Sequence, residues 1–241
     1  MSDNRSQKKL VRGPKAAITH CPMRRSPNGL SGFTLIELLV VIIMIGILAG
    51  LLFPAFTNVQ NQAKRVQAKN DLTQIVNAVN AYYTEYGKYP LASGPDITFT
   101  GTTAGIVSGS SNAALIDVLR NNTTGPNSAT VTSWNPRAIA FIQPPDSKTS
   151  NPGKAGIDPV ATSPTYGVWF DPWGSAYNVS IDGDYSNQVA NLYSANAGAT
   201  PNLQIGVIAW SFGKDTQSLS ISGPLSNKNT GTNTDDVISW Q

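Results

Sequence analysis

From Leu35 to Phe53 the chain reads LIELLVVIIMIGILAGLLF, nineteen residues with one charge, Glu37, among apolar side chains and glycine. Nothing else in the sequence constrains the fold so strongly. A helix needs ~20 such residues to cross a bilayer. A soluble surface helix would instead show a polar face along the run, and this one has none. The apolar character persists to Phe56, so the spacing predicts a membrane-spanning helix with a basic segment before it and a separate polar domain after it. Glu37 needs its own explanation, because a carboxylate in the bilayer costs ~2.5–3.5 kcal/mol on insertion scales and marks a functional position by default.

Charge divides at the start of this run. Residues 1–32 hold seven Lys or Arg (Arg5, Lys8, Lys9, Arg12, Lys15, Arg24, Arg25) against one acid, Asp3, whereas the remaining 209 residues hold ten basic and thirteen acidic side chains. The alkaline character thus belongs to the leader and does not suggest nucleic-acid binding, which needs a basic face on a folded domain. A basic segment before a membrane run fits the positive-inside rule and places the leader in the cytoplasm. His20 and Cys21, the single histidine and cysteine, also lie in residues 1–32. Without that leader the chain has no imidazole base, no thiol nucleophile and no means of forming an internal disulfide, which argues against an enzyme.

Beyond Phe56 the pattern becomes amphipathic. Apolar residues fall at Val59, Ala63 and Val66, then at Leu72, Ile75, Val76, Val79, Tyr82, Tyr83 and Tyr86, the later set with the three-and-four spacing of a buried stripe between amides and charges, and no proline occurs between Pro54 and Pro90. The expectation is one helix from about Thr34 to about Tyr86, roughly 75–80 Å at ~1.5 Å per residue, stopped by Gly87. Its first half is apolar and its second half packs on a head. Lys64, Arg65 and Lys69 read as a solvated face, with lipid headgroups or a neighbouring subunit as other partners. Gly46 and Gly50 give a weak G-x-x-x-G spacing.

The string Gly32-Phe33-Thr34-Leu35-Ile36-Glu37-Leu38-Leu39-Val40 resembles the processing site of type IV pilins and pseudopilins. The resemblance implies cleavage between Gly32 and Phe33 by a prepilin peptidase, methylation of the new Phe33 amine, and pairing of Glu37 with the Phe33 amine of a neighbouring subunit in a filament. Pro54 matches the family's helix proline, read either as a kink at the membrane boundary or as a place where the helix melts on assembly. The implied fold is α+β: a long N-terminal helix, transmembrane in its first half, packed on a small antiparallel sheet. The implied division is a leader (1–32), a membrane or filament-core segment (33–56), an amphipathic half (57–90) and a head (91–241).

Within the head, Asn112–Arg120 reads as a short helix capped by Ser110 or Ser111. Residues 92–110, 121–133 and 144–164 read as loops, and 139–142 as a short strand or buried turn. Asp171-Pro172-Trp173-Gly174 reads as a tight turn, with Trp173 filling the core beside the long helix. Strands are expected at Tyr177–Ile181, Ile205–Ser211 and Ser218–Ile221, with a hairpin turn at Asp182-Gly183-Asp184. The turn, with the tyrosine strand after it, resembles the head of the major pseudopilin of type II secretion systems, as does the acidic tail. That resemblance implies calcium at Asp215, Asp235 and Asp236, with carbonyls near Phe212 and Ile238 completing an oxygen shell and Trp240 packed beneath. In another reading Asp235 and Asp236 cap a terminal helix. Asp182 and Asp184 form a second, weaker candidate pair.

The expected function is a non-enzymatic subunit of a helical homo-oligomer, the periplasmic pseudopilus of a type II secretion system. Its partners would be other pseudopilins, the inner-membrane assembly platform and the prepilin peptidase; nucleic acid is not expected. The chain would sit in the inner membrane with its head in the periplasm. The alternatives are a type IV pilus subunit and a membrane-anchored binding module using Trp134 and Trp169 to hold sugars.

Overall fold

The computed structural model describes residues 32–101, 111–148, 153–198, 200–216, 228–229 and 231–241. The leader, apart from Gly32, and the strand expected at 218–221 lie outside the described residues. The chain divides into two compact units, one ending at Gly50 and one beginning at Leu51. A single helix, α1 (Leu35–Tyr86), contributes to both and runs without interruption through Pro54.

In the first unit α1 has no apolar partner among the described residues. Phe33 is 78% exposed and Leu35 88%, and the large apolar side chains through Leu48 are exposed on all sides. Among the described residues, α1 is the helix long and apolar enough to cross a membrane.

In the second unit α1 builds the core. Ala68, Asp71, Leu72, Ile75, Ala78, Val79 and Tyr82 are buried, one face of a 3.6-residue period. Tyr83 was expected on the buried stripe but is exposed, and Val59, Ala63 and Val66, which precede the stripe, are exposed as well. Periodicity marks a face and cannot say whether the head reaches that far down the helix. The helix ends as expected: Gly87 takes φ +68° and donates its N–H to the Tyr83 carbonyl at 2.8 Å, an αL cap.

The head's main sheet has four antiparallel strands in the order β1 (Ile97–Phe99), β4 (Asn178–Ile181), β7 (Val207–Ser211) and β8 (Val237–Ile238). Its register sets Phe99 beside Val179 and Val179 beside Ala209. These residues, with Ile181, Val207 and Val237, pack against Leu72, Ile75, Val79 and Tyr82 of α1. The alternate residues Ile208, Trp210 and Ile238 face the other way, onto Val189, Tyr193 and Ala197. Strand β7 is therefore buried on both faces, consistent with its continuous apolar run. Two small strand pairs complete the head: β2 (Gly156–Ile157) with β3 (Trp169–Phe170), and β5 (Val189–Ala190) with β6 (Asn202–Leu203). Helix α2 (Asn112–Arg120) starts at Ser111, whose hydroxyl accepts from the Ala113 N–H at 3.2 Å.

Several loops predicted from sequence contain structure. Strands β1 and β2 arise within 92–110 and 144–164, and α3 (Ser128–Trp134) overlaps 121–133. Helix α3 is mostly Ser, Thr and Ala, a composition that signals no helix; burial of Val131 against α2 overrides propensity. Residues 139–142 form no strand, and Ile142 is buried in an irregular segment. Asp182-Gly183-Asp184 does not close a hairpin, because β4 pairs with β7 and the chain between them makes an excursion through β5 and β6. Trp173 is only half-buried, and Trp169 is the indole at the centre of the core. The sugar-platform reading fails for Trp169. Trp169 has no exposed surface, and the Lys88 ammonium sits 4.5 Å above the ring of Trp134.

Two buried carboxylates fix the architecture. The Asp171 Oδ1 atom accepts from the backbone N–H groups of Trp173, Gly174 and Ser175 at 2.7–2.9 Å, and Gly174 takes φ +108° to close the expected turn. Asp71, on α1, accepts from the Tyr177 hydroxyl at 2.8 Å and so ties the helix to the chain entering β4. Burial pushes the Asp71 carboxyl above its ordinary range, and the Tyr177 bond opposes this.

Candidate functional site

The first candidate is the start of α1. Thr34 and Glu37 close a reciprocal capping box: the Glu37 N–H donates to Thr34 Oγ1 at 3.3 Å, and the Thr34 N–H donates to Glu37 Oε2 at 2.9 Å. The Thr34 hydroxyl donates to the same carboxylate oxygen at 2.7 Å. Glu37 thus satisfies two donors at a helix N-terminus, where negative charge is favoured. The sequence reading treated Glu37 only as a carboxylate awaiting a partner. The pattern Thr34-x-x-Glu37 before an apolar run was the signal for a local one. Gly32 and Phe33 precede the helix, and Phe33 is free of the core.

The second candidate is the acidic loop of the head, built by the 3₁₀ turns Gly213–Asp215 and Gly231–Asp235 and by β8. The structure brings together two of the three expected acids, because the Asp215 N–H donates to Asp235 Oδ2 at 2.9 Å. Gly213 takes φ +69°, and a Cβ there would fall 2.2 Å from the Asp235 carbonyl oxygen, so the loop closes in a space only glycine leaves open. Asp235 ends this second turn and Asp236 follows it, so neither caps a helix N-terminus.

Asp236 is 5% exposed, and its Oδ2 accepts from the Tyr193 hydroxyl. Its other oxygen, Oδ1, has no hydrogen-bond partner among the described residues. Burial pushes the Asp236 carboxyl up to about 7; the Tyr193 bond opposes this, while the charges of Asp235 and Asp215 add to it. A buried carboxylate oxygen without a donor, beside two further acids, suits a hard cation, which takes oxygen ligands and repays the cost of burying charge. The carboxylates of Asp215, Asp235 and Asp236 do not all come within 4.8 Å of one another, however, as those of the second acidic cluster do. Trp240 is partly buried, packed on the cluster that holds Tyr193, Ala197 and Trp210. On the loop's α1 side, Lys69 donates to the carbonyls of Ile238, Ser239 and Gln241, and Arg65 to that of Thr234. These cations clasp the tail rather than forming the solvated face expected of them.

The second acidic pair acquires a third member that sequence spacing could not show. Carboxylate oxygens of Asp96, Asp182 and Asp184 lie within 4.8 Å of one another. Backbone N–H groups already occupy this cluster: Gly183 donates to Asp96, Ser186 to Asp182 and Asp184, and Asn187 to Asp182. These bonds make it the frame of a turn.

The chain is similar over its N-terminal region to curated proteins of two related kinds. It is 43% identical over 60 residues to the type II secretion system core protein G of Pseudomonas aeruginosa, covering 25% of this chain and 42% of that protein. It is 38% identical over 60 residues to the core protein G of Aeromonas hydrophila, with the same coverage. It is 40% identical over 58 residues to the type IV major pilin protein PilA of Myxococcus xanthus, covering 24% of this chain and 26% of that protein. The chain thus spans about two fifths of the length of the core protein G relatives, 42% in the Pseudomonas case. No protein-family model and no solved structure matches the chain.

Proposed function

We propose, for a chain whose N-terminal region is that of a pilin-like pseudopilin, that it is a filament subunit of a type II protein secretion system, cleaved between Gly32 and Phe33 and anchored by α1 in the inner membrane with its head in the periplasm. The observation that carries this reading is the juxtaposition at the start of α1: Gly32-Phe33, then Glu37 as the one charge between Leu35 and Phe53, a stretch whose apolar faces have no partner among the described residues. In a filament those faces would bury against copies of the same helix. The Phe33 amine of a neighbour would then take Glu37 from its bond to Thr34. Attraction between opposite charges grows as the dielectric falls, so the exchange favours the assembled state. Other pseudopilins, an assembly platform and a prepilin peptidase are the partners this role requires, and the subunit itself performs no catalysis. Calcium held by Asp215, Asp235 and Asp236 would fix the head's last loop.

The likeness to the Myxococcus pilin supports a second reading, a type IV pilus subunit. The core protein G likenesses and the acidic loop favour secretion. N-terminal sequencing of the membrane-extracted protein tests the shared premise. Phe33 as the first residue, N-methylated, is expected, and an intact Met1 overturns it. Glu37→Ala should abolish filament formation while leaving the melting of the head unchanged.

A further inference from the structure

A helical filament propagates only through a heterologous contact, in which two different patches of one subunit meet two neighbours. The head carries two patches of opposite charge, set near the two ends of the second half of α1. We infer that they meet between copies: the corner formed by Asp96, Asp184 and Tyr185 docks in the groove that Arg65, Lys69 and Lys228 line on a second copy of this chain. The inference rests on the filament reading above and adds to it the head surfaces that join one copy to the next.

The groove has a volume of about 510 Å³ and lies between α1 and the tail. Three cationic side chains, Arg65, Lys69 and Lys228, line it against one carboxylate side chain, Asp236. No side-chain carboxylate pairs with any of the three among the described residues. Lys69 is held by the carbonyls of the tail. Arg65 gives one N–H to the Thr234 carbonyl at 3.3 Å, which leaves the rest of its guanidinium fork for another acceptor. Val66 stands at the same groove with 69% of its surface exposed. The groove therefore offers positive charge and apolar surface together.

The opposite corner lies just past the end of α1. Asp96 and Asp184 are exposed beside the buried Asp182, and no cation pairs with them among the described residues. Backbone N–H groups hold these carboxylates close together, and an incoming cation relieves their mutual repulsion. Tyr185 is 48% exposed and holds φ +60°, a strained conformation for a residue with a side chain. Its ring stacks on that of Tyr89 at 5.8 Å, and its hydroxyl accepts from the Tyr89 N–H at 3.3 Å. The corner thus presents an aromatic face with its acids, the complement of Val66 with Arg65. The groove flanks Arg65 and the corner follows Tyr86, about 30 Å apart along α1 at ~1.5 Å per residue. Docking shifts each copy along the helix axis, and a joined pair keeps a free corner at one end and a free groove at the other. Corner against corner would set like charges together.

The test crosslinks copies of the full chain in membranes. Cys21 is the single native cysteine, so in a Cys21→Ser background Asn70→Cys places a thiol at the groove and Ser186→Cys one at the corner, with every charge of the two patches kept. A short bis-maleimide should link the double-cysteine chain into a ladder of oligomers, and a product that stops at the dimer overturns the inference. Asp96→Lys with Asp184→Lys should cut the yield of the ladder at least about tenfold, as should Arg65→Glu with Lys228→Glu, because like charges then face each other. Combining the four reversals should restore it to within about threefold. A ladder indifferent to either reversal, or not restored by the combination, overturns the pairing. Melting in detergent checks that each reversed head folds; where one does not, the ladder of the double-cysteine chain decides. Electron microscopy reports the filament reading separately. Filaments without a ladder overturn this contact alone, and the absence of both overturns the filament reading itself.

Discussion

The two halves of α1 obey the same backbone rules in opposite surroundings. Up to Leu52 the large apolar side chains are exposed and find nothing among the described residues to pack on. From Ala68 to Tyr82 one face is buried against β4, β7 and their neighbours, while Thr73, Gln74 and Asn80 face solvent. Helix formation in the second half is thus coupled to the folding of the head. The first half needs lipid or other copies to bury its surface, and the cost of leaving it bare is what drives it there. Between the halves, Val59 and Val66 keep a helical apolar spacing and are exposed.

Core truncation tests the contrast most severely. Leu72→Ala should lower the stability of the head by about 2–5 kcal/mol, measured by thermal melting in detergent. Leu48→Ala should change the same transition by less than about 0.5 kcal/mol. Comparable losses from both would mean that the halves are not energetically separate. Metal removal comes next. At calcium a hundredfold above its dissociation constant, chelation should cost the head about 2.7 kcal/mol. Asp235→Asn combined with Asp236→Asn should abolish the difference, and a double variant that still responds would place the cation elsewhere.

A smaller effect concerns Asp71, which fastens the second half to the sheet. Its carboxyl titrates above the ordinary value of 3.8 in the folded state. The folded chain therefore keeps a proton that the unfolded chain has lost, and stability contributed by this group falls as pH rises from that value through the raised one. The slope from one group is at most about 1.4 kcal/mol per pH unit. Asp71→Asn retains an acceptor for Tyr177 and should flatten melting temperature against pH in this window; an unchanged slope would assign it to other carboxylates. The smallest effect belongs to the first half. Thr34→Val removes one arm of the capping box and should cost about 0.5–2 kcal/mol of local helix stability, seen as faster amide exchange in the first turn and no change in the head's melting.

Much of this arrangement was legible. The stop at Gly87, the turn at Asp171, the strands at Asn178–Ile181 and Val207–Ser211 and the helix at Asn112–Arg120 each carry a local signal that their own residues enforce. Strands β1 and β8 do not. Three residues and two residues are too few to show alternation, and each exists because a longer strand offers it an edge. The candidate metal site divides the same way. Three aspartates near the tail were visible as acids. Tyr193, which donates to Asp236, lies 43 residues away, beyond the reach of any local signal.

By itself the sequence determined the long helix, its apolar first half, the lone acid in that half and the position where the helix stops. Periodicity, propensity and the cost of exposing or burying charge act over a few neighbouring residues, and they suffice for these features. Only the tertiary structure decided how far down the helix the head reaches, which strands flank β7, and where each carboxylate finds its donors. Those outcomes depend on contacts between distant segments, where a hydrogen bond or a packed ring is available only after the chain has closed.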